Sequence, residues 1–564
     1  MIRWLLLLCL FLNVSCFRNT DKLITAIEGR PNSLDPVNAF SDGALLVLSQ
    51  VYEPLINYHY LVRPFRMEST LSEDIPQISG NGKIYRFKVK KDVLYHPVKG
   101  IPEGRSVLAK DFITQFKRLA DPENDSPIRS MLVEKILGLK KVLNDLGQPD
   151  SVEKALLDKD VPGLRLIDTH TFEVELNQPD NFFIYWFSTY FIVPMPEEVI
   201  KQEINLKENF IGTSPYRLSV EGKKYKLKKF KNYRDSYYPT LGDRKANVRG
   251  LLKNANKEIP LTSEFEIIVE SNFEKRLQMF LDEEVDWMDV SNTEYGRVSK
   301  DERIVELLDA EVIVLTNFPS LAMRWLGFNM NDDVIGGESG KNIRKAIAYA
   351  IDREKYNEVL SNGTNMEANS IINPGIWGYN PSTKFPFKFN IEKAKSLLRG
   401  YKKPIRIKYS TRTDSLIGTT EANFLKKELK KVGIELEVEV LTFKQFLKKG
   451  RAGQLQFWTD YWIYDYPDAQ NILQLLYSKN FPGINKSAYQ NSRVDEYYEK
   501  LLSDPSNNKK QEYIEKIESE LYQDLPWVIM SYDRSYYISR KHVQNLKKSS
   551  FIRNYFKYLK FSSN

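Results

Sequence analysis

Apolar residues recur at every second position in several stretches, and each such stretch predicts a strand half-buried against a core. Residues 23–27 form one. Tyr85, Phe87 and Val89, set between Arg86, Lys88 and Lys90, form a second, and Phe172, Val174 and Leu176, set between Glu173 and Glu175, form a third. The lysine run at 223–231 is interleaved by Tyr225, Leu227 and Phe230. That interleaving fits the wet face of a strand better than a nucleic-acid patch. The apolar stretch 182–195 is broken by Tyr, Ser, Thr and Pro, and reads as core.

The second half alternates periods. Residues 405–409 are strand-like, 421–432 helical and 434–440 strand-like again, a β-α-β unit. Thr420 is placed to cap that helix, Phe424, Leu425 and Leu429 supply its buried stripe, and Gly433 its left-handed stop. Ile343, Ile347, Ala350 and Ile351 share a face of another helix. A further helix at 391–398 is capped by Asn390 and ends near Gly400. Residues 455–459 read as a strand, followed by a loop in which Asp460, Tyr461, Trp462, Ile463, Tyr464, Asp465, Tyr466, Pro467 and Asp468 crowd aromatic rings around acids. The pattern predicts an α/β protein with mixed sheets flanked by helices. In such sheets ligands bind in the crevice beyond the carboxyl ends of strands, which directs attention to this loop.

Length and charge narrow the class. A chain of 564 residues holds several domains at about 150 residues each. Its 82 basic against 74 acidic side chains give +8, too thin a field over this length for a nucleic-acid partner. Both cysteines, Cys9 and Cys16, fall in the first twenty residues, so the body has no disulfide and no thiolate chemistry. The four histidines, His59, His96, His170 and His542, are too far apart for a helix-borne zinc pair, and no metal or cofactor is expected.

Arg3 precedes an apolar run from Trp4 to Val14, too short for a membrane span of about 20 residues but of signal-peptide length. Residues 1–15 are expected to be removed. Ser15 before Cys16 resembles the lipobox of bacterial lipoproteins, with Asn13 where leucine is usual. That likeness implies export to the cell envelope and a lipid anchor on Cys16.

Signatures of catalysis are missing. The chain has no Gly-x-Ser-x-Gly, His-Glu-x-x-His or Gly-x-Gly-x-x-Gly. Gly336, Gly340 and Lys341 imitate a P-loop, but the spacing is one residue short and Asn342 stands where a hydroxyl residue binds magnesium. Asp465 and Asp468 could pair as acid and base of a glycosidase, but two acids three residues apart more often make a solvated turn.

Several segments, in order, resemble the bacterial extracellular solute-binding proteins of the oligopeptide and dipeptide type, the binding subunits of ABC importers. Pro31-Asn32-Ser33-Leu34-Asp35-Pro36 is similar to the family's P-x-S-L-D-P, and Val51-Tyr52-Glu53-Pro54-Leu55 to its VYEGL. Ala109-Lys110-Asp111-Phe112, Arg118-Leu119-Ala120-Asp121-Pro122 and Gly212-Thr213-Ser214-Pro215-Tyr216 follow, the last with Ser214 for a glycine. Gly327-Phe328-Asn329 and the run from Ile343 to Arg353 match the most specific block.

The resemblance implies a two-lobed periplasmic-binding-protein clamp with an additional third domain and a ligand cleft at the hinge between lobes. On that basis lobe I takes residues 22–57, 163–317 and 526–560, the extra domain 58–162 and lobe II 318–525. It implies a monomer that binds oligopeptides and passes them to permease subunits. In peptide-binding members an aspartate after a tryptophan-bearing strand end receives the α-amino group. Trp462-x-x-Asp465-Tyr466 resembles that segment, making Asp465 the lead site residue, with Trp458, Trp462, Tyr464 and Tyr466 as pocket walls or, equally, core. Another solute, such as an oligosaccharide, a metal chelate or a cell-wall peptide, is the alternative, with an envelope hydrolase behind it.

Overall fold

The period-two segments are divided between one large sheet and a smaller one. The computed structural model describes residues 22–562 except 148, 403, 414, 416 and 505; the predicted signal segment 1–15 and Cys16 lie outside these. Among the described residues eleven strands join: β1 (Lys22–Ile27), β2 (Tyr216–Glu221), β3 (Lys224–Lys229), β4 (Glu264–Val269), β5 (Trp287–Val290), β6 (Ile313–Phe328), β7 (Met366–Glu367), β8 (Ile405–Arg412), β9 (Ile434–Leu441), β10 (Phe457–Ile463) and β11 (Trp527–Arg540). Their spatial order is β9-β8-β10-β6-β11-β5-β1-β4-β3-β2, with β7 also on β11.

Two strands are far longer than the rest. β6 has 16 residues and β11 has 14, and they pair antiparallel from Ile313↔Arg540 to Gly327↔Trp527. The ladder shifts register between Pro319 and Met323, where Leu321 adopts φ +57°. On one side of that irregularity Tyr536, Tyr537 and Ile538 pack with β1, β4 and β5; on the other, Val528 to Tyr532 join a separate core with Leu326, Ile347 and Ile407. The chain therefore builds two main cores and joins them through one pair of strands.

The β-α-β unit forms as its pattern predicts. β8 and β9 pair parallel over eight residues, and the helix Gly418–Lys430 covers them with Phe424, Leu425 and Leu429. Gly433 takes φ +85° before β9, a conformation that side-chain-bearing residues rarely adopt. Thr420 does not cap this helix: it begins at Gly418 after Ile417, so Thr420 lies inside the first turn. Gly418 fits there because a Cβ would come within 2.6 Å of the Thr411 hydroxyl. Asn390 does cap Ile391–Leu397, accepting the Lys393 N–H at 2.9 Å.

A second, four-stranded antiparallel sheet runs Gln77–Ser79, Ile84–Lys88, Thr171–Glu175, Leu164–Leu166. Its buried face is aromatic. Phe172 stacks between Phe87 and Phe112, each 5.4 Å away, which seats the helix Ala109–Ala120 on the sheet. The lysine run forms β3 as expected, with Tyr225 and Leu227 inward and Lys224 and Lys228 in solvent. Arg353, within the most specific family block, is buried on the carbonyls of Ala368 and Ile529 at 2.7 and 3.0 Å, so it holds the fold together.

The buried Glu53 of the first core is paired. Glu53, 2% exposed, receives Arg234 through both guanidinium arms at 2.8 and 2.9 Å and the Tyr233 hydroxyl at 3.0 Å. Burial alone would raise the Glu53 carboxyl; the guanidinium outweighs it and holds it below its ordinary value. A depressed acid stabilises the fold above its unfolded pKa, and that stability is lost as pH falls through the folded value. Arg234→Met should cost about 3–5 kcal/mol, because it strands a buried carboxylate. Urea denaturation near neutral pH checks this, and the difference from wild type should shrink as the pH is lowered below the carboxylate range.

Candidate functional site

β10 is longer than the sequence pattern indicates and starts later. Tyr461, Trp462 and Ile463 belong to the strand, not to a loop after it, because Ala322 to Phe328 of β6 pair with Ile463 down to Phe457. Alternation then splits the aromatic segment between two faces. Trp458 and Trp462 point to one side, and Thr459, Tyr461 and Ile463 to the other.

On the first side the indoles of Trp325, Trp458, Trp462 and Trp527 surround an apolar cavity of about 210 Å3. Trp325 stacks on Trp527 at 4.2 Å. Trp458 is 1% exposed and lies over Gly327, where a Cβ would meet its ring at 2.7 Å. Tyr464 sits inside the second core, its hydroxyl 3.4 Å from both the Ile371 carbonyl and the Asn373 N–H. Tyr466 is also buried; its hydroxyl bonds Gln470 and its ring stacks on Tyr185 at 4.6 Å and 8°.

Tyr185 comes from the short 3-10 helix Phe183–Ser188, which packs mainly on the first core. Its contact with Tyr466 thus bridges the two bodies. The Tyr185 hydroxyl also donates to Asp468 at 3.1 Å. Asp465 and Asp468 have different surroundings. Asp468 is buried, accepts the Gln470 N–H at 3.0 Å, and is pushed up to about 6, chiefly by burial. Asp465 stays open to solvent on one side while neighbouring atoms desolvate its carboxyl and raise it above the ordinary range.

Asn471 organises the end of β10. Its carbonyl oxygen accepts the Trp462 indole N–H at 2.7 Å and the Asp465 backbone N–H at 3.0 Å, while its amide donates to the Asp465 carboxylate at 3.2 Å. Asn471 is wholly buried, so this clamp fixes where the acid points. Among the described residues no cation lies within ion-pair distance of Asp465, although one of its oxygens still has unused acceptor capacity.

The other face of β10 opens on a cavity of about 350 Å3 lined by Arg324, Tyr461, Glu421 and Asp533, and by Asn292 and Thr293 from the helix Asn292–Val298 of the first body. The cavity therefore lies between the two bodies. Tyr461 and Ile463 expose substantial apolar surface here. The strand edge is open as well: the β8–β10 ladder stops at Ser410↔Trp458, so Thr459 to Ile463 have no partner strand on that side among the described residues. Arg324, Glu421 and Tyr356 are absent from the sequence-based candidates. The signal was a lone arginine inside the apolar run 321–328.

No group of three or more acidic, histidine or cysteine side chains among the described residues is arranged to hold a metal ion. No described helix is long and apolar enough to cross a membrane.

Two cores on one shared sheet, with a polar cavity and an open strand edge between them, define a two-lobed clamp. Comparison with known proteins gives the family. The sequence model for bacterial extracellular solute-binding proteins, family 5, matches residues 66–483, and the chain belongs to that family. It is 22% identical to the oligopeptide-binding protein OppA of Bacillus subtilis over 515 residues, covering 89% of this chain and 85% of that one. It is also 22% identical to the dipeptide-binding protein of Escherichia coli over 552 residues, 93% and 91% of the two chains. Among solved structures, HbpA2 from Haemophilus parasuis superposes with a TM-score of 0.76 at 19% identity, covering 96% of this chain and all of that one. DppA from Helicobacter pylori, in complex with the peptide STSA, gives 0.67 at 20% identity, with 96% and 98% covered. The fold is the two-lobed α/β clamp of periplasmic binding proteins.

Asp468 predicts a pH dependence of opposite sign to that of Glu53. Because its folded pKa lies above the unfolded one, the native state binds more protons, and stability falls as pH rises from about 4 to about 6. Asp468→Asn should remove that slope and add about 3 kcal/mol at neutral pH, as read from thermal unfolding at stepped pH.

Proposed function

We propose that the protein captures oligopeptides in the cell envelope and delivers them to an ABC-type import permease. The observation that carries this reading is Asp465: a fixed, partly desolvated carboxylate without a cation, at the end of an open strand edge. A buried ammonium requires an opposite charge with acceptor oxygens, and Asp465 offers both to the α-amino group of a ligand. Main-chain groups of an extended peptide pair with the Thr459–Ile463 edge, giving affinity that is independent of side chains. The relatives' names, oligopeptide- and dipeptide-binding proteins, support the same solute class.

The two lobes meet where β6 and β11 cross. Residues 527–532 pack with the second core, so the crossing in β11 lies near Asp533 and that in β6 at Pro319–Met323. The first lobe then comprises 22–57, 163–317 and the end of the chain, the extra domain 58–162, and the second lobe 318–525 with the first half of β11. The stack of Tyr185 on Tyr466 joins the two lobes beside the cleft. Residues 1–15 act as the export signal and Cys16 as the lipid attachment point, which holds a monomeric receptor at the membrane beside its permease. The protein binds and releases its solute without transforming it.

A refolded chain should be stabilised by free di- to pentapeptides, by about 2.7 kcal/mol at one hundred times the dissociation constant. N-acetylated copies should give no shift. Asp465→Ala should lose more than tenfold in peptide affinity with an unchanged circular dichroism spectrum; unchanged affinity would remove the amine anchor. A shift with oligosaccharides and none with peptides would keep the fold and replace the ligand.

A further inference from the structure

Among the described residues seven large apolar side chains are more than half exposed, and three of them, Tyr237, Leu241 and Val248, fall within twelve residues of the first lobe. Val248, 81% exposed, is the most open of all. Their neighbours impose this: Tyr238, Ala246 and Leu251 are buried in the first core and fix the segment, which leaves the residues between them facing solvent. The Asp243 N–H bonds the Leu61 carbonyl at 3.0 Å, and the Asn247 amide donates to the Gly242 and Asp243 carbonyls at 3.3 and 3.1 Å, so the turn into the short helix Arg244–Val248 is held. The surrounding charge is one-sided. Residues 236–258 carry five cations, Arg244, Lys245, Arg249, Lys253 and Lys257, against two acids. Both acids already pair with lysines outside the stretch, Asp243 with Lys547 at 2.6 Å and Glu258 with Lys229 at 3.3 Å. None of the five cations lies within ion-pair distance of an acid among the described residues. Exposed apolar side chains among unpaired cations suit the surface of an anionic bilayer, with a tyrosine ring at headgroup level and lysine and arginine stems reaching to phosphates.

The position of the segment agrees with that chemistry. β1 runs parallel to both β4 and β5. Asn292 and Thr293 of the inter-lobe cavity follow the carboxyl end of β5, so the cleft lies at that end of the three strands. The exposed segment is tied to the other end. The Ser236 carbonyl accepts the Ile259 N–H at 2.9 Å and the Lys257 carbonyl accepts the Tyr238 N–H at 2.8 Å, just before β4 begins at Glu264. Lys22, the first residue of β1, pairs with Glu264, so the chain that leads back to Cys16 leaves from this same end. Six residue steps separate Cys16 from Lys22, a reach of about 20 Å at full extension. We infer that residues 236–258 rest on an anionic lipid bilayer beside the anchor and hold the receptor with its cleft turned away from the membrane. This rests on the envelope location and the Cys16 anchor proposed above. Three apolar side chains and a few cations make a weak, reversible contact, which lets the receptor face outward for capture and turn over for delivery to the permease.

The test uses the chain from residue 17 onward, which has no cysteine. An environment-sensitive dye on Val248→Cys is then its single thiol label. Vesicles of equal parts phosphatidylglycerol and phosphatidylcholine should shift the emission to the blue, and phosphatidylcholine alone should bind roughly tenfold more weakly. The same dye on Val440→Cys, which is 59% exposed on the second lobe, should not shift. In cosedimentation with the anionic vesicles, Tyr237→Ser, Leu241→Ser and Val248→Ser combined should lose about tenfold in affinity. Arg244→Glu with Lys245→Glu should lose as much, and salt at about 0.5 M should weaken the wild type. Both variants should keep a native circular dichroism spectrum and unchanged peptide affinity. Lys426→Glu with Lys427→Glu, exposed on the helix Gly418–Lys430, should leave vesicle binding intact. No wild-type binding to anionic vesicles, an equal loss in the Lys426 and Lys427 variant, or an equal dye shift at Val440 overturns the membrane surface. Because this chain lacks Cys16, the outcome tests the surface separately from the anchor, which membrane retention of the full chain against its Cys16→Ser variant reads.

Discussion

The antiparallel pairing of β6 with β11 is the constraint on which the rest depends. These two strands are the longest among the described residues, each belongs to both main cores, and they are paired to each other along the way. On the first side they are fixed by β5 and the third cluster around Phe280, Met288 and Ile538; on the second by β10 and β7. Because backbone hydrogen bonds inside a core cannot be given up without replacement, each half of the ladder moves with its own lobe. The register of the ladder breaks twice, between Pro319 and Met323 and between Arg324 and Trp325. Both irregularities lie one strand away from the open edge of β10.

Charges in this protein follow two regimes. Several buried groups that hold the fold are multiply bonded: Glu53 on Arg234, Arg353 on two carbonyls and Glu367, and Arg344 on the carbonyls of Asp524 and Gly337 at 2.7 and 2.9 Å. Asp465 and Arg324 are held in place by packing and by Asn471, but neither has a countercharge at ion-pair distance among the described residues. Preorganised, partly desolvated charges without partners pay their cost in the folded state, and a ligand of complementary charge recovers it on binding.

Much of the architecture was legible in the residues. Period-two alternation located the strands at 84–88, 171–175 and 224–229 to within a residue or two, and the β-α-β unit with its Phe424, Leu425 and Leu429 stripe, because local periodicity reports directly which face is buried. The start of the helix at Gly418 was not legible: Thr420 has a good capping side chain, but close packing against Thr411 favours glycine two residues earlier. β10 was misplaced for a related reason. Its sequence is aromatic on both faces, so alternation is hidden, and only pairing with Ala322–Phe328 shows that Tyr461 to Ile463 are strand.

The site divides the same way. The sequence by itself determined that an acid follows a tryptophan-bearing strand, that the chain beyond Cys16 carries no cysteine, and that the order of motifs is that of family 5. Those are properties of residue identity and short spacing. Which aromatic rings face a cavity and which are core, that Asn471 fixes Asp465, and that Arg324 has no ion-pair partner among the described residues were decided only by tertiary structure. Each depends on residues brought together from distant parts of the chain, by strand register and by the crossing of β6 and β11, and no local pattern encodes that distance.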